Sequence, residues 1–342
     1  MAASTSDIRD RAMGSLLGLA IGDALGMPSQ TLNRASIRKH YGRIEDFVAP
    51  YPGHPVSHGL PAAAVTDDTE QALLLARRLI AEPVFDPLAW AQDLLAWEAD
   101  VQRRGLRDLL GPSSKAALEA IGRGVDPGEA AKNGTTNGAA MRIAPIGVAT
   151  PVEDVVSFVD AVETASRVTH NTGESVAAAS AVAAMVSARI AGADFAAGLA
   201  CALQAAEEGQ KRGYPNGATN IASYIARAVE FAENGLVLEA FADAVGVSVA
   251  SHESVPAAFG ILRLSGDDVW KAAVMAANIG DDTDTIGAMA GAMAGAASGA
   301  SALPSDKTDR LLAVNALALD DIVDGLLRLR EGARMRMLGA AQ

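Results

Sequence analysis

Two short acidic clusters are the residues best suited to chemistry in this 342-residue sequence. One reads TDDTE over residues 66–70, and the other reads DDTDT over residues 281–285. Each cluster opens an apolar, helix-like stretch. Asp and Thr often cap helix N-termini, because their oxygens accept hydrogen bonds from free N–H groups and the helix dipole favours anions. A single cap needs only one such residue, so capping alone does not explain the clusters.

The two clusters also lack local counter-ions. No Lys or Arg occurs between Arg43 and Arg77, or between Lys271 and Lys307. If the clusters meet in the fold, two carboxylates about 5 Å apart repel by about 3 kcal/mol at an effective dielectric constant near 20. Carboxylate and hydroxyl oxygens without His or Cys favour magnesium, manganese or calcium over zinc. We therefore predict a metal site with enough oxygen ligands for two ions. Such ions would lower the pKa of a water bound to them.

Composition restricts the fold class and the partners. Half of the residues are apolar but only 4% are aromatic, and long runs of Ala, Leu, Val and Gly favour closely packed helices. A net charge of −13 opposes nucleic acid or an anionic membrane as a partner. The lone Cys201 excludes a disulfide within the chain. Residues 285–304 are uncharged, but they are too weakly hydrophobic to insert into a membrane. We expect a cytoplasmic protein, and the oligomeric state stays open.

Glycines at four-residue spacing predict the elements at the centre of the fold. The two series are Gly14, Gly18, Gly22 and Gly26 near the start, and Gly287, Gly291, Gly295 and Gly299 near the end. Glycine costs about 1 kcal/mol relative to alanine inside a helix, so a repeated series indicates close backbone approach. We predict a central pair of helices in contact almost backbone to backbone. No linker divides the chain, so one all-α domain over residues 1–342 is expected.

Between the central helices, the irregular stretches are expected near a site. Residues 26–65 are rich in Pro, Gly and His without clear period, and we interpret them as a lid. Residues 132–145 contain two Asn-Gly steps, which are typical of turns. A long helix is predicted over residues 306–330.

Five motifs together resemble the ADP-ribosylglycohydrolase family, which includes the dinitrogenase-reductase-activating glycohydrolases. They are the glycine series ending in Gly22-Asp23-Ala24-Leu25-Gly26, Thr66-Asp67-Asp68-Thr69, Asn137-Gly138-Ala139-Ala140-Met141-Arg142 with Pro145, Thr169-His170, and Asp282-Thr283-Asp284-Thr285. The motifs follow the family's order across nearly the whole chain. The resemblance implies an all-α fold with a central cleft that holds two magnesium ions, with manganese as an alternative. It also implies hydrolysis of the bond from the terminal ribose C1 of ADP-ribose to a modified side chain, often arginine.

The resemblance assigns roles by position. The implied metal ligands are Thr66, Asp67, Asp68, Asp282, Asp284 and Thr285, and the implied substrate loop contains Asn137, Gly138 and Met141. Free N–H groups of residues 136–139 are suited to a ribose or a phosphate. His170 precedes an expected helix N-terminus, where a phosphate is favourable; the alternative is a histidine bonded to nearby backbone. Tyr214, in a turn, is a candidate for stacking on a base.

One position departs from the family pattern. Several relatives carry an acidic residue soon after the Gly-Asp-Ala-Leu-Gly turn, whereas residues 27–33 here contain no acid and offer Gln30. Glutamine cannot transfer a proton, so general acid or base work is assigned to Asp67 or Asp281, or to Glu45 or Asp46 in the lid. Asp23, on a helix expected to be buried, needs a partner, either N–H groups or the metal cluster.

Three functions remain open from the sequence. The first is a magnesium-dependent hydrolase of ADP-ribosylated proteins or ADP-ribose conjugates. The second is a hydrolase of the same fold that acts on a smaller N- or O-riboside. The third is a non-catalytic ADP-ribose-binding or structural protein, which the complete set of six ligand positions disfavours.

Overall fold

The computed structural model describes residues 4–82, 84–106, 110–216 and 219–340. The single domain predicted over residues 1–342 extends at both ends beyond these ranges. In the described ranges the chain forms eighteen α-helices and two short 3-10 helices, and its only β pairing consists of three isolated bridges. The all-α prediction is confirmed.

The helices follow one another with short connections for most of the chain. Their bounds are α1 (Thr5–Gly26), α2 (Arg34–Tyr41), α3 (Asp67–Ala81), α4 (Pro87–Arg103), α5 (Pro112–Gly122), α6 (Pro127–Ala130), α7 (Gly138–Met141), α8 (Ala144–Ala149), α9 (Val155–Ser166), α10 (Gly173–Ile190), α11 (Phe195–Gly209), α12 (Ile221–Glu233), α13 (Leu238–Val245), α14 (Ser251–Ser265), α15 (Val269–Ala277), α16 (Thr283–Ser298), α17 (Ser305–Asn315) and α18 (Asp320–Ala340). The 3-10 helices are Met27–Ser29 and Ala300–Ala302.

The central pair of helices is α1 and α16, which run antiparallel through their glycine faces. A Cβ atom added at Gly22 would lie 1.9 Å from the carbonyl oxygen of Gly287, and one added at Gly18 would lie 2.2 Å from that of Gly291. No side chain fits in such a gap. At the C-terminal end of α1, a Cβ atom on Gly26 would lie 2.5 Å from Cα of Asp284. The predicted backbone contact is confirmed, and it fixes the start of α16 against the end of α1.

One hydrophobic cluster forms the core around this pair. Every residue of α10 is buried, and most of them are Ala, Ser or Val. Small side chains let α10 lie close to its neighbours, as the composition indicates. The start of α10 and the starts of α3 and α16 carry the motifs of the site.

Two sequence predictions about elements are wrong. The single helix over residues 306–330 is two helices, α17 and α18, because Ala316 ends the first in a left-handed conformation with φ of 49°. The side chain of Asn315 stabilises that break, since it donates to Ala63 O at 2.7 Å and accepts from Val65 N at 3.0 Å. The stretch over residues 26–65, interpreted as irregular, contains helix α2. Asn33 caps the start of this helix, and Gly42, with φ of 68°, ends it.

None of the helices in the described ranges is long and apolar enough to cross a membrane. This includes α16, which contains most of the uncharged stretch over residues 285–304.

Candidate active site

The two acidic clusters meet at one cavity of about 210 Å³. Asp67 belongs to the first turn of α3, and Asp282 and Asp284 belong to the start of α16. The cavity is lined by Gln30, Thr31, Val56, Asp67, Leu110, Gly111, Pro112, Ser114, Thr136, Asn137, Gly138, Met141, Val249, Asp282, Asp284 and Thr285. Pockets for drug-sized ligands usually measure about 300–1,000 Å³. This cavity therefore has room for a sugar-sized group, and a longer ligand would extend outside it.

Asp23 connects the two central elements of the site. It is fully buried on α1, and its carboxylate accepts from the backbone N–H of Thr66 at 2.9 Å and of Thr69 at 3.1 Å. The hydroxyl groups of both threonines donate to the same carboxylate. Asp23 therefore caps α3 from another helix and fixes the position of Asp67 and Asp68. Of the two partners expected for Asp23, N–H groups or the metal cluster, the structure shows the N–H groups.

Burial and mutual repulsion make the carboxylates of the site hard to ionise together. Desolvation, followed by the charges of neighbouring carboxylates, raises the pKa of Asp67, Asp68 and Asp284 well above the ordinary value. Burial raises the pKa of Asp282 to about 7 and that of Asp23 to about 6. A cation among these groups would remove the cause of the repulsion.

The donor set fits a hard cation. Asp68 is fully buried and its Oδ1 has no hydrogen-bond partner, which is costly for a carboxylate unless something positive binds it. Thr285 lies beside Asp284 in the cavity wall, whereas the Thr66 hydroxyl donates to Asp23. Within the described ranges, no group of three or more His, Cys, Asp or Glu side chains is arranged to hold a metal ion. The two-ion site therefore stays a prediction.

The substrate loop predicted at residues 137–141 forms one wall of the cavity. Asn137 Nδ2 donates to Asp282 Oδ2 and to Ser254 Oγ, the latter at 2.9 Å. Asn137, Gly138 and Met141 all line the cavity. Sequence reasoning missed Ser254, which holds the Asn137 amide in this orientation and lies in α14 without any local motif.

His170 and Tyr214 lie away from the cavity wall. His170 is fully buried behind the loop, where Nε2 lies 2.9 Å from Thr136 Oγ1 and Nδ1 lies 2.8 Å from Thr169 Oγ1. Burial, with the charge of Arg142, lowers the pKa of His170 well below its ordinary value, so the ring is neutral. Tyr214 is 38% exposed and donates through its hydroxyl to Glu129. Substrate contact by either residue stays a prediction.

Four acidic residues were candidates for proton transfer, and the structure places only Asp67 in the cavity wall. Asp281 is exposed, and its backbone N–H donates to Leu32 O. Glu45 pairs with Arg43 at the surface, at 3.1 Å. Asp46 pairs with Lys307 at 2.5 Å.

Gln30 lines the cavity together with the acidic residues. Its Nε2 donates to Ser57 Oγ at 2.7 Å, and Ser57 Oγ donates to Met27 O at 3.0 Å. The next residue, Thr31, has φ of 64° and donates from its backbone to Asp281 O at 2.7 Å. Asp281 itself has φ of 58°, so two non-glycine residues hold this turn in a rarely adopted conformation. The contact fixes Gln30 beside the second acidic cluster.

A larger cavity, of about 640 Å³, lies elsewhere, between the C-terminal end of α3, α8, α9 and α18. Its lining includes Phe85, Ile146 and Phe158, and it contains no residue of the five sequence motifs. Size alone therefore does not locate the chemistry. The acidic cavity is the candidate active site.

Comparison with known proteins agrees with this fold. The family model described as ADP-ribosylglycohydrolase matches residues 4–335. The uncharacterized protein YegU of Escherichia coli (strain K12) is 35% identical over 327 residues, which is 94% of this chain and 98% of that protein. The ADP-ribosylarginine hydrolase Tri1 of Pseudomonas putida (strain GB-1) is 35% identical over 178 residues, 49% of this chain and 43% of that protein.

A solved structure described as an ADP-ribosylglycohydrolase-related protein complex has a TM-score of 0.71 and 27% identity, and the match covers 96% of this chain and 99% of that one. The overall fold of this chain is thus shared with that solved structure over nearly the whole length of both chains. The chain belongs to the ADP-ribosylglycohydrolase family, a family of glycohydrolases.

Proposed function

We propose that this protein is a magnesium-dependent hydrolase that cleaves the C1 glycosidic bond of an ADP-ribosyl group attached to a protein or to a small conjugate. The observation that supports this most is the meeting of Asp67 with Asp282 and Asp284 in one cavity. Asp68, the neighbour of Asp67, does not line the cavity, but its Oδ1 is buried without a hydrogen-bond partner. Thr66, Asp67, Asp68, Asp282, Asp284 and Thr285 would hold the two ions. The bound ions would supply orientation of the ribose diol and a more acidic water.

The chain's own residues supply the rest. Asp67 lines the cavity, and once bound cations favour its ionised form it would take the proton from the attacking water and return it to the departing group. Asn137 holds Asp282 in place and closes the wall beside it. Residues 136–139 would contact the ribosyl group through their N–H and hydroxyl groups. The similarity to an ADP-ribosylarginine hydrolase favours arginine as the modified side chain.

A smaller N- or O-riboside is the second candidate substrate. Two observations favour it. The cavity measures only about 210 Å³, and Gln30, which lines it, cannot act as a general acid or base. The same fold and metal ligands would serve either substrate.

A parallel assay separates the two substrates. Purified protein in magnesium buffer is given an ADP-ribosylarginine peptide and a panel of small ribosides, and free ADP-ribose or ribose is measured by chromatography. Release of ADP-ribose from the peptide supports the first function. Turnover of a riboside but not of the peptide supports the second function. If neither substrate is turned over, both functions are contradicted.

A further inference from the structure

A chain of buried polar groups ends at the hydroxyl of Thr136 in the cavity wall. Arg142, Thr169 and His170 are each at most 1% exposed, whereas Thr136 is partly exposed and lines the cavity. We propose that Thr136 is a specificity-determining residue whose hydroxyl is held as a donor toward substrate oxygens. Its role in recognition rests on the ribosyl hydrolase function proposed above.

The direction of the chain is set at its buried end. The Arg142 guanidinium carries only donors, so its contact with Thr169 Oγ1 makes that hydroxyl an acceptor. The single proton of the Thr169 hydroxyl then needs an acceptor of its own, because a buried unpaired donor is costly. His170 Nδ1, at 2.8 Å, is the acceptor in contact with it. Thr169 therefore donates to Nδ1.

The proton of His170 then lies on the far side of the ring. A neutral imidazole that accepts at Nδ1 carries its proton on Nε2. Nε2 lies 2.9 Å from Thr136 Oγ1 and donates to it. Gly138 leaves room for this arrangement, since a Cβ atom there would lie 2.8 Å from Cε1 of His170.

The hydroxyl of Thr136 is thus left with its own proton and one lone pair. Its hydroxyl already accepts from His170, so its own proton is available to the cavity. A phosphate oxygen or a sugar oxygen can receive this hydrogen bond, whereas a guanidinium could only donate to the remaining lone pair of the hydroxyl and would leave its proton unpaired. The partner of the Thr136 proton is therefore an oxygen of the ribosyl or phosphate part of the substrate.

The tautomer can be measured without any substrate. Protein labelled with ¹⁵N-histidine is studied by NMR between pH 6 and pH 9, and the signal of His170, one of five histidines, is identified by its loss in His170→Asn. We expect Nε2 to be protonated and Nδ1 unprotonated across the range. In Thr169→Val, which removes the donor to Nδ1, we expect a mixture of tautomers. A parent protein with Nδ1 protonated, or with a charged ring, overturns the proposal.

Binding tests the role of the hydroxyl. Thr136→Val keeps the shape of the side chain and removes the donor, whereas Thr136→Ser keeps the donor. In calorimetric titrations with saturating magnesium we expect Thr136→Val to bind ADP-ribose roughly tenfold more weakly, and Thr136→Ser to stay close to the parent. An equal loss for ribose identifies a sugar oxygen as the acceptor, and a loss for ADP-ribose alone identifies a phosphate.

Unchanged binding by Thr136→Val contradicts the proposal. If this variant fails to fold, the NMR result on the parent still decides the direction of the chain. A parent that binds neither ligand contradicts the proposed function, and with it the ligand assigned to Thr136, while the tautomer measurement remains valid.

Discussion

The carboxylate of Asp23 accepts hydrogen bonds from both the backbone N–H and the hydroxyl of Thr66, at 2.9 and 2.7 Å. The contact joins the end of α1 to the start of α3, 43 residues later in the chain. Through it, the helix that presents Asp67 and Asp68 is held against the helix pair that presents Asp282 and Asp284. The geometry of the acidic cavity therefore depends on a residue that does not line it.

Asp23→Asn should loosen this connection. An amide keeps one acceptor oxygen and turns two N–H donors toward groups that are themselves donors. Because hydrogen bonds to charged groups contribute about 1.5–3 kcal/mol each, we expect the free energy of unfolding to fall by at least about 2 kcal/mol at pH 8, as measured in urea.

Asp154→Asn is the matched control for this change. Asp154 also accepts from backbone N–H groups and a hydroxyl at a helix start, but it is exposed, at the beginning of α9. We expect a loss of about 1 kcal/mol or less. Similar losses for the two variants would mean that Asp23 is an ordinary cap.

Gly22→Ala should separate the central helix pair. The added methyl group would lie 1.9 Å from Gly287 O, which is backbone and cannot rotate away. We expect a loss of at least about 3 kcal/mol in the free energy of unfolding, or failure to fold. Gly122→Ala is the control, because nothing lies within 4 Å of its added Cβ atom and its φ is not positive. There alanine should be neutral or slightly stabilising. A Gly22→Ala protein as stable as the control would contradict the close backbone contact.

Stability of the metal-free protein should fall as pH rises. The pKa values of Asp23 and Asp282 are about 6 and about 7 in the folded state, raised by burial from an ordinary value of 3.8. Between about pH 4 and pH 7 the folded state therefore binds more protons than the unfolded state, and the free energy of unfolding decreases with pH. We expect a fall of at least about 1.4 kcal/mol from pH 5 to pH 8, the value of one pKa unit.

Urea unfolding with a chelator present measures this change, and Asp282→Asn should reduce it. Saturating magnesium should also reduce it, because a cation favours the ionised carboxylates. If the metal-free protein becomes more stable from pH 5 to pH 8, these carboxylates are ionised in the folded state even without a bound cation.

Asp67→Ala and Asp284→Ala should each abolish turnover without unfolding the chain. Each removes one member of a mutually repelling group, so the metal-free variants should melt at or above the temperature of the parent. Circular dichroism melts with chelator, alongside the activity assay, give both results. Melting temperatures that collapse for both variants would identify these residues as structural caps.

The parts of the fold that depend on local spacing could be predicted from the sequence. The glycine series predicts the contact of α1 with α16, because only close approach explains repeated glycine in a helix. The two acidic clusters at helix starts could also be located from the sequence, but their meeting in one cavity was only a condition of the metal prediction. Helix α2 was not predicted because eight residues are too few to show a clear helical pattern of apolar residues, although Asn33 and Gly42 mark its ends.

The surroundings of the cavity could not be predicted in this way. His170 stands beside an expected helix N-terminus in the sequence, yet its ring is enclosed by Thr136 and Thr169. Ser254 orients Asn137 across 117 positions of the chain, and no local pattern marks such a pair. These contacts depend on how the helices pack and not on the order of residues within any one of them.

We expect the acidic cavity to hold the metal ions on which hydrolysis depends. The most direct test is release of ADP-ribose from an ADP-ribosylarginine peptide, measured after complete removal of divalent cations by chelation and again after addition of magnesium. We expect no release by the metal-free protein and full recovery with magnesium in the parent, but not in Asp284→Ala. Hydrolysis that continues at an undiminished rate after complete chelation would contradict it.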